Sequence, residues 1–470
     1  MHKEYKDRYL GALENLENIG LARALYEIMA SKRLLAPHGH VDPAMLDANK
    51  NFTNPVELLV TPDHYVTRML ASQGISYEAL GIPREDGSRN EVDPREVWGI
   101  LAANWHLFRS TPSRIWLQET LATLFGVEEL LTAESAASIY EAIDAKLQTP
   151  EFKPQALFKR FNIEVLATTD ATSDSLEHHQ ALAKLNLGGF VIPTFRPDDV
   201  SDPARPNWKA NLKLLATASG IEITSFASLL EALRIRRTYF KKHGATAADH
   251  GVYSARTLNL GQAEKEALFN QVFAGNATES QLADFRAVML FEHALMAADD
   301  GLVMQIHPGS LRNYDSQIFK KYGADKGFDI PVETKYTNEL QPLLNAVGNH
   351  PNFRAVLFTL DEASYSRELA PLAGAYTGLR LGPPWWFLDS LNGLERWRDS
   401  VTETAGYYNT VGFIDDTRAF TSIPVRHDVA RRFDAGYLAR EVARDRITEV
   451  EALELASDLA YNLTKEFFNL

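Results

Sequence analysis

The chain has 470 residues and no cysteine, and 48 Lys and Arg against 62 Asp and Glu give a formal net charge of −14. The lack of cysteine excludes disulfides, cysteine-ligated zinc, iron–sulfur clusters and a thiol nucleophile. The acidic balance argues against a general binder of nucleic acid or of an anionic membrane surface, because both partners are polyanions.

The amino-terminal region shows no targeting or membrane signal. It is charged throughout and has no apolar core of the kind found in a signal peptide. No window approaches the roughly 18 consecutive apolar residues of a transmembrane helix. We therefore expect a soluble, cytoplasmic protein without a nucleic-acid or membrane partner.

The first elements in chain order are helical. Leucine and isoleucine spacing predicts an N-terminal helical segment over residues 1–32. A short apolar run at 33–37 then leads to two histidines, and Pro37 should end this strand. Residues 52–150 are mostly helical in pattern, and we interpret 66–150 as a helical insertion.

From residue 155 onward, short apolar runs alternate with helical stretches. Strands buried on both faces and separated by helices indicate βα units and a parallel sheet. With the run at 33–37, seven or eight strands favour an α/β fold, a distorted TIM (β/α)8 barrel with helical insertions, as one unit over 1–470. The later runs lie at 163–167, 189–193, 248–253, 302–306, 354–359 and 411–414.

His38 and His40 follow the first predicted strand. Two residues apart on a strand, both imidazoles point to the same face, and in a barrel they would reach the C-terminal end, where barrel enzymes have their sites. Imidazole is a good ligand for Zn²⁺ and Fe²⁺. The pair is therefore a candidate metal site, although this spacing taken alone favours two unrelated polar residues at a strand end.

Asp416 and Arg418 follow the last apolar run and share a face, whereas Asp415 points the other way. In a closed barrel the last strand lies beside the first, so Asp416 could meet the histidine pair on one metal ion. Two imidazoles and one carboxylate leave positions open for water or substrate, as in catalytic sites. The alternative for Asp416 and Arg418 is a surface ion pair.

Polar residues also stand at two other strand ends and in loops. Arg196 follows the run at 189–193, and its planar guanidinium suits a carboxylate. His307 follows the run at 302–306. The polar–aromatic loop clusters contain His64, Tyr65 and Trp385, and for the tryptophan core packing is the alternative.

The chain resembles the uronate isomerase (glucuronate isomerase) family of the amidohydrolase superfamily. Each motif is weak alone, but their order over most of the chain makes the set specific. The motifs are His38-x-His40, Asp63-His64-Tyr65, Thr168-Thr169-Asp170, Pro193-Thr194-Phe195-Arg196-Pro197, Asp249-His250-Gly251, Met304-Gln305-Ile306-His307, Trp385-Trp386-Phe387-x-Asp389, Asp416-x-Arg418 and Arg426-His427.

The resemblance implies a small-molecule uronate sugar as substrate and one divalent metal ion, usually zinc, as cofactor. The metal ligands that it implies are His38, His40 and Asp416. The sugar-binding positions that it implies are His64, Tyr65, Arg196, Arg418 and Trp385.

The implied reaction is the isomerisation of D-glucuronate to D-fructuronate and of D-galacturonate to D-tagaturonate, by proton transfer from C2 to C1 through a cis-enediol. Arg196 is expected to bind the C6 carboxylate. Tyr65, His64 and Arg418 would surround the reacting carbons or the hydroxyls. As the base, Tyr65 would need a neighbouring cation such as Arg418 to lower its pKa from about 10. Asp416 is the alternative proton carrier, and the sequence does not choose between them.

Two other classes of function stay open at this point. A metal-dependent hydrolase of the same superfamily would use the same three ligands to activate water against an amide, ester or lactone. A catalytically silent sugar-binding protein would not need them. No P-loop, G-x-S-x-G or H-E-x-x-H motif occurs, and no G-x-G-x-x-G follows an apolar run. A homo-oligomer is a base-rate expectation for a large barrel.

Overall fold

The computed structural model describes residues 19–205 and 207–470. Its strands are short and separated by helices, as the alternation of apolar runs predicts. The strands are β1 (Leu34–Ala36), β2 (Ile163–Ala167), β3 (Asp170–Ala171), β4 (Phe190–Ile192), β5 (Phe195–Arg196), β6 (Ala247–His250), β7 (Val303–Ile306), β8 (Ser310–Leu311), β9 (Ile330–Pro331), β10 (Ala355–Leu357) and β11 (Leu379–Leu381).

Several helices begin where an N-cap residue is followed by proline, a combination that satisfies a free backbone N–H and presets φ for the first turn. Asn54, Asp93 and Thr111 cap three such helices in this way. The helices are α1 (Ile19–Ala30), α2 (Pro43–Ala48), α3 (Pro55–Leu59), α4 (His64–Ala71), α5 (Pro94–Ala103), α6 (Pro112–Thr123), α7 (Ala136–Leu147), α8 (Pro154–Arg160), α9 (Glu177–Leu182), α10 (Asp198–Ser201), α11 (Trp208–Ser219), α12 (Phe226–Lys242), α13 (Gln262–Ala274), α14 (Glu279–Asp300), α15 (Ser316–Tyr322), α16 (Gln341–Val347), α17 (Ala370–Ala373), α18 (Leu391–Ala405), α19 (Ile423–Ala443), α20 (Glu449–Ser457) and α21 (Leu463–Phe467).

The parallel strands form a distorted TIM barrel. One sheet has the order β1-β2-β4, and a second has the order β11-β10-β7-β6-β5-β3. The two sheets are continuous, because β3 extends the chain of β2 and β5 extends that of β4. The barrel closes through the last segment: Val411 N–H donates to Leu381 O at 3.2 Å, and His40 N–H donates to Thr417 O at 3.0 Å.

The structure corrects the strand predictions at three places. The run at 411–414 is not a regular strand, because Gly412 has a φ of 77°, and it pairs with β11 through a single bridge between Thr410 and Leu381. The run predicted over 248–253 ends at His250. Strand β11 was not predicted, since three residues interrupted by Arg380 give no readable apolar run.

Phe468 is buried at the N-terminal end of the barrel. Its ring is in one cluster with Ala247 and Val303, the first residues of β6 and β7, and with Val356 and Val411. This packing fills the barrel at that end, so the opposite, C-terminal end is left for a functional site.

The remaining predictions about the chain's organisation concern the N-terminal segment and the helical insertion. Helix α1 lies within the predicted N-terminal segment 1–32 and packs on α19 and α20, whereas residues 1–18 lie outside the described residues. Helices α5 to α7 fall within 66–150, and the boundaries of that insertion and of the single unit stay predictions. In the described part of the chain, no helix combines the length and apolar character needed to cross a membrane.

Glu368 holds the loop after β9. Its Oε2 accepts the backbone N–H groups of Tyr336 and Thr337, each at 2.8 Å, and Arg367 donates to Oε1 at 2.7 Å. Burial raises the pKa of Glu368, but these hydrogen bonds to the charged form outweigh burial and lower the pKa to about 2.

We expect Glu368→Gln to lower the free energy of unfolding by about 1–3 kcal/mol at neutral pH. A carboxylate whose pKa is lowered on folding stabilises above its unfolded value of 4.5 and loses that contribution as the pH falls toward about 2. The difference between wild type and variant should therefore shrink in that window, which urea unfolding at pH 7 and pH 3 measures. A difference that is the same at both pH values contradicts the assignment.

Candidate active site

His38, His40 and Asp416 lie together at the C-terminal end of the barrel. The histidines follow β1, and Asp416 Oδ1 lies 3.2 Å from Nε2 of each of them. Asp416 Oδ1 has no hydrogen bond of good geometry among the described residues. Burial opposes its charge, but His38 and His40 hold the pKa of Asp416 well below its usual range. The structure thus brings together the three residues predicted to bind a metal ion.

His307 adds a fourth group to this cluster. Its ring stacks on that of His38 with centroids 4.7 Å apart, and one ligand atom each of His38, His307 and Asp416 lies within 4.8 Å of the others. The buried His307 Nε2 has no hydrogen-bond partner in the described part of the chain. An unpartnered buried polar atom costs about 1–3 kcal/mol, and a divalent ion held by His38, His40 and Asp416 would give Asp416 Oδ1 a partner. Imidazole nitrogens with one carboxylate fit such an ion.

The sequence places Asp249 in a family motif but predicts no function for it. In the structure Asp249 contacts two of the candidate site residues. Its Oδ1 lies 2.8 Å from His307 Nδ1, and its Oδ2 lies 3.3 Å from Arg196 Nη1. His250, the next residue of β6, points to the other face and packs on His293. The signal that could have found Asp249 is a carboxylate next to His250 within a predicted strand, together with the alternation of side chains along a strand.

Arg196 is fixed by two carboxylates. Asp198 accepts from its Nε at 2.7 Å, and Asp249 is the second partner. A Cβ on Gly251 would lie 2.5 Å from Arg196 Nη2, so only glycine allows this close approach. Burial lowers the pKa of Arg196, but the two carboxylates outweigh it and raise the pKa. Arg196 therefore stays charged next to the candidate metal site.

The rings of His64, Tyr65 and Trp385 line the site next to the histidine and aspartate cluster. Asp63 caps α4 by accepting the Tyr65 N–H at 2.8 Å, and this places His64 and Tyr65 at the start of the helix. Their rings stack with centroids 4.7 Å apart. Trp385 lies with its ring centroid 4.7 Å from that of His307. Its indole Nε1 is buried without a partner among the described residues, so it can donate to a bound sugar.

Burial and nearby arginines set the protonation states of His64 and Tyr65. Burial and the nearby Arg418 lower the pKa of His64 to about 3, so its imidazole is neutral at neutral pH. Burial raises the pKa of Tyr65, and the cation that offsets this most is Arg426, whose guanidinium lies 5.8 Å from the ring centroid. The condition under which Tyr65 would act as the base, a neighbouring cation that lowers its pKa below the usual value, is therefore not met.

Arg418 lies at the mouth of the site. Its Nη2 donates to Asp325 Oδ2 at 3.3 Å. Among the described residues no ion pair joins Arg418 to Asp416, so the alternative of a surface ion pair between these two is not observed. Asp415 points away from Asp416, as predicted, and its Oδ1 lies 3.1 Å from His427 Nε2 on α19. This contact holds the segment in which Asp416 adopts a φ of 39°.

The fold and the site define an α/β barrel protein with a candidate metal site at the C-terminal ends of its strands. The family model described as glucuronate isomerase matches residues 11–468. The chain belongs to the glucuronate isomerase family.

Individual relatives agree with this assignment over nearly the whole chain. The uronate isomerase of Rhizobium meliloti (strain 1021) is 51% identical over 450 residues, 96% of each chain. The crystal structure of glucuronate isomerase from Caulobacter crescentus has a TM-score of 0.97 and 48% identity, over 99% of this chain and 97% of that one. The uronate isomerase structure from Thermotoga maritima has a TM-score of 0.92 and 27% identity, over 99% of this chain and 100% of that one.

Proposed function

We propose that this enzyme isomerises D-glucuronate to D-fructuronate and D-galacturonate to D-tagaturonate, by proton transfer between C2 and C1 through a cis-enediol. The observation that carries the proposal is the link between Arg196 and the candidate metal site. Asp249 contacts both His307, at 2.8 Å, and Arg196 Nη1, at 3.3 Å. The Arg196 guanidinium, which suits the substrate carboxylate, therefore lies beside the candidate metal site, which is expected to act on the aldehyde end of the same molecule.

His38, His40 and Asp416 would hold one divalent ion, which we propose to be zinc. When bound, the ion supplies positive charge that stabilises negative charge on a substrate oxygen. Arg196 binds the C6 carboxylate through its planar fork. Trp385, with a free indole N–H, and the neutral His64 contact the hydroxyls.

Asp416 fits the role of the C2 base better than Tyr65 does. Asp416 is ionised and its Oδ1 has no hydrogen bond among the described residues, whereas burial keeps Tyr65 protonated. Asp416 takes the proton from C2, and the enediol forms as the C1 oxygen takes a proton from water. The same carboxyl group then returns its proton to C1 as the C2 hydroxyl loses one to water. Tyr65 serves as a hydrogen-bond donor to a developing negative charge on oxygen.

The test is incubation of the metal-loaded protein with D-glucuronate in D₂O, followed by NMR. We expect the ketose to form with deuterium at C1, since a proton on a carboxyl group exchanges with solvent. D-glucose, which lacks the C6 carboxylate, is the matched substrate and should not react. Failure to form ketose contradicts the proposed function. Ketose without deuterium at C1 contradicts an exchanging Asp416 as the proton carrier.

The hydrolase alternative uses the same ligands but leaves the fixed Arg196 without a role. The cytoplasmic location and a homo-oligomer stay predictions. Light scattering of the purified protein tests the oligomeric state. A mass above the 52.6 kDa of one chain indicates assembly.

A further inference from the structure

A surface segment that the sequence patterns did not single out places a carboxylate at the mouth of the active site. Asp325 lies between α15 and β9, with Oδ2 3.3 Å from Arg418 Nη2 and Oδ1 3.9 Å from Arg312 Nη1. We propose that Asp325 binds substrate. Its carboxylate accepts a hydrogen bond from a hydroxyl group of the uronate and also positions Arg418. This inference rests on the proposed function and adds a residue to it.

Asp325 is held rigidly relative to the wall that carries His64. Gly327, two residues on, has a φ of 84°, and a Cβ there would lie 3.1 Å from His64 O and 2.7 Å from Arg68 Cβ. Tyr77 also donates its hydroxyl to the Lys326 carbonyl. The backbone of the segment at Lys326 and Gly327 therefore packs directly on α4, which places Asp325 next to the helix that carries His64.

The other side of the segment is tied down as well. Asp329 accepts from Asn313 N–H at 2.6 Å and from Arg312 Nη1 at 3.1 Å. Tyr314 N–H donates to Phe328 O at 2.7 Å. These bonds continue the pairing of β8 and β9 into the loop that contains Asp325 and join the two sides of that loop.

The charge of Asp325 acts on groups inside the site. Partial burial raises its pKa, but Arg418 and Arg312, with smaller contributions from His64 and His40, lower the pKa to about 2. Its side chain is 46% exposed, so part of the carboxylate stays accessible. Asp325 is thus an ionised acceptor that contacts Arg418 and lies within electrostatic reach of His64 and His40.

A carboxylate here has a cost, because the proposed substrate is itself an anion. If Asp325 only neutralised Arg418, its removal would free a cation for the uronate and would strengthen binding. A polyhydroxy substrate offers hydroxyl donors that a carboxylate accepts well, and a site built to bind a hydroxyl discriminates strongly against an analogue without it. The two roles therefore predict effects of opposite sign.

The experiment compares the wild type with Asp325→Asn, a substitution that keeps the shape and tolerates the φ of 59° at this position. Glu85→Gln is the matched control, since Glu85 is an exposed acid whose side chain packs beside Gly323 of the same segment. We expect Asp325→Asn to lower kcat/KM for D-glucuronate by at least about tenfold, mainly through KM. Glu85→Gln should change it by less than about twofold.

Substrates that lack one hydroxyl group distinguish substrate binding by Asp325 from a purely structural role, because only a direct contact makes the effect of the missing hydroxyl on kcat/KM depend on Asp325. We expect 3-deoxy- or 4-deoxy-D-glucuronate to lose at least about tenfold in kcat/KM with the wild type and little with Asp325→Asn, because the variant has already lost that contact. An unchanged or raised kcat/KM in Asp325→Asn, or the same penalty for both analogues in both proteins, overturns the inference. Absence of isomerisation by the wild type would instead overturn the proposed function.

Discussion

Asp416→Asn is expected to lower kcat/KM for D-glucuronate by about 10³-fold or more, since it removes a proposed metal ligand and the proposed C2 base together. The carboxylate lies 3.2 Å from Nε2 of both His38 and His40. An amide keeps the shape but carries no charge, so any loss reports on chemistry and ion binding. Steady-state kinetics measures the effect, and thermal unfolding of the variant serves as the control for folding.

The same prediction extends to the choice of ligands. Our assignment expects about one bound ion per chain in the wild type and a large loss in His40→Ala. His307→Ala should keep most of the ion, because His307 is assigned to the contact with Asp249 rather than to the metal. Elemental analysis after dialysis gives the metal content of each variant. Loss of the ion from His307→Ala, with retention in His40→Ala, would show that the cluster of His38, His307 and Asp416 is the metal site instead.

Arg196→Lys is expected to raise KM for D-glucuronate and to lower kcat/KM by about 10- to 100-fold, because a lysine keeps the charge but loses the bidentate fork. Arg205→Lys is the matched control: Arg205 Nη2 lies 3.5 Å from the same Asp198, and its side chain is 41% exposed. Unaltered kinetics in Arg196→Lys would contradict the assignment of the C6 carboxylate to Arg196.

Arg196→Met would be a poorer experiment, although it removes the proposed contact completely. It would leave Asp198 and Asp249, both buried, without their shared cation. Removing one partner of a buried ion pair costs about 3–5 kcal/mol in stability. Loss of activity in that variant would therefore mix unfolding with lost substrate binding, and the lysine variant separates the two.

The sequence was sufficient where function depends on local spacing. The spacing of His38 and His40 places both imidazoles on one side of the chain, and barrel closure predicts that Asp416 joins them. The bond from His40 N–H to Thr417 O confirms that closure. The starts of α3, α5 and α6 are likewise readable, since an N-cap residue followed by proline acts within one turn.

Only the tertiary structure decided which distant residues meet. Asp249 contacts His307 because β6 and β7 pair in the register that sets Asp249 opposite Gln305, and register between strands is a property of packing rather than of either run alone. Asp325 reaches Arg418 from a loop 93 positions away along the chain, and such a loop carries no periodicity. Burial then determined that Tyr65 keeps its proton, since a pKa depends on the groups that surround it in space.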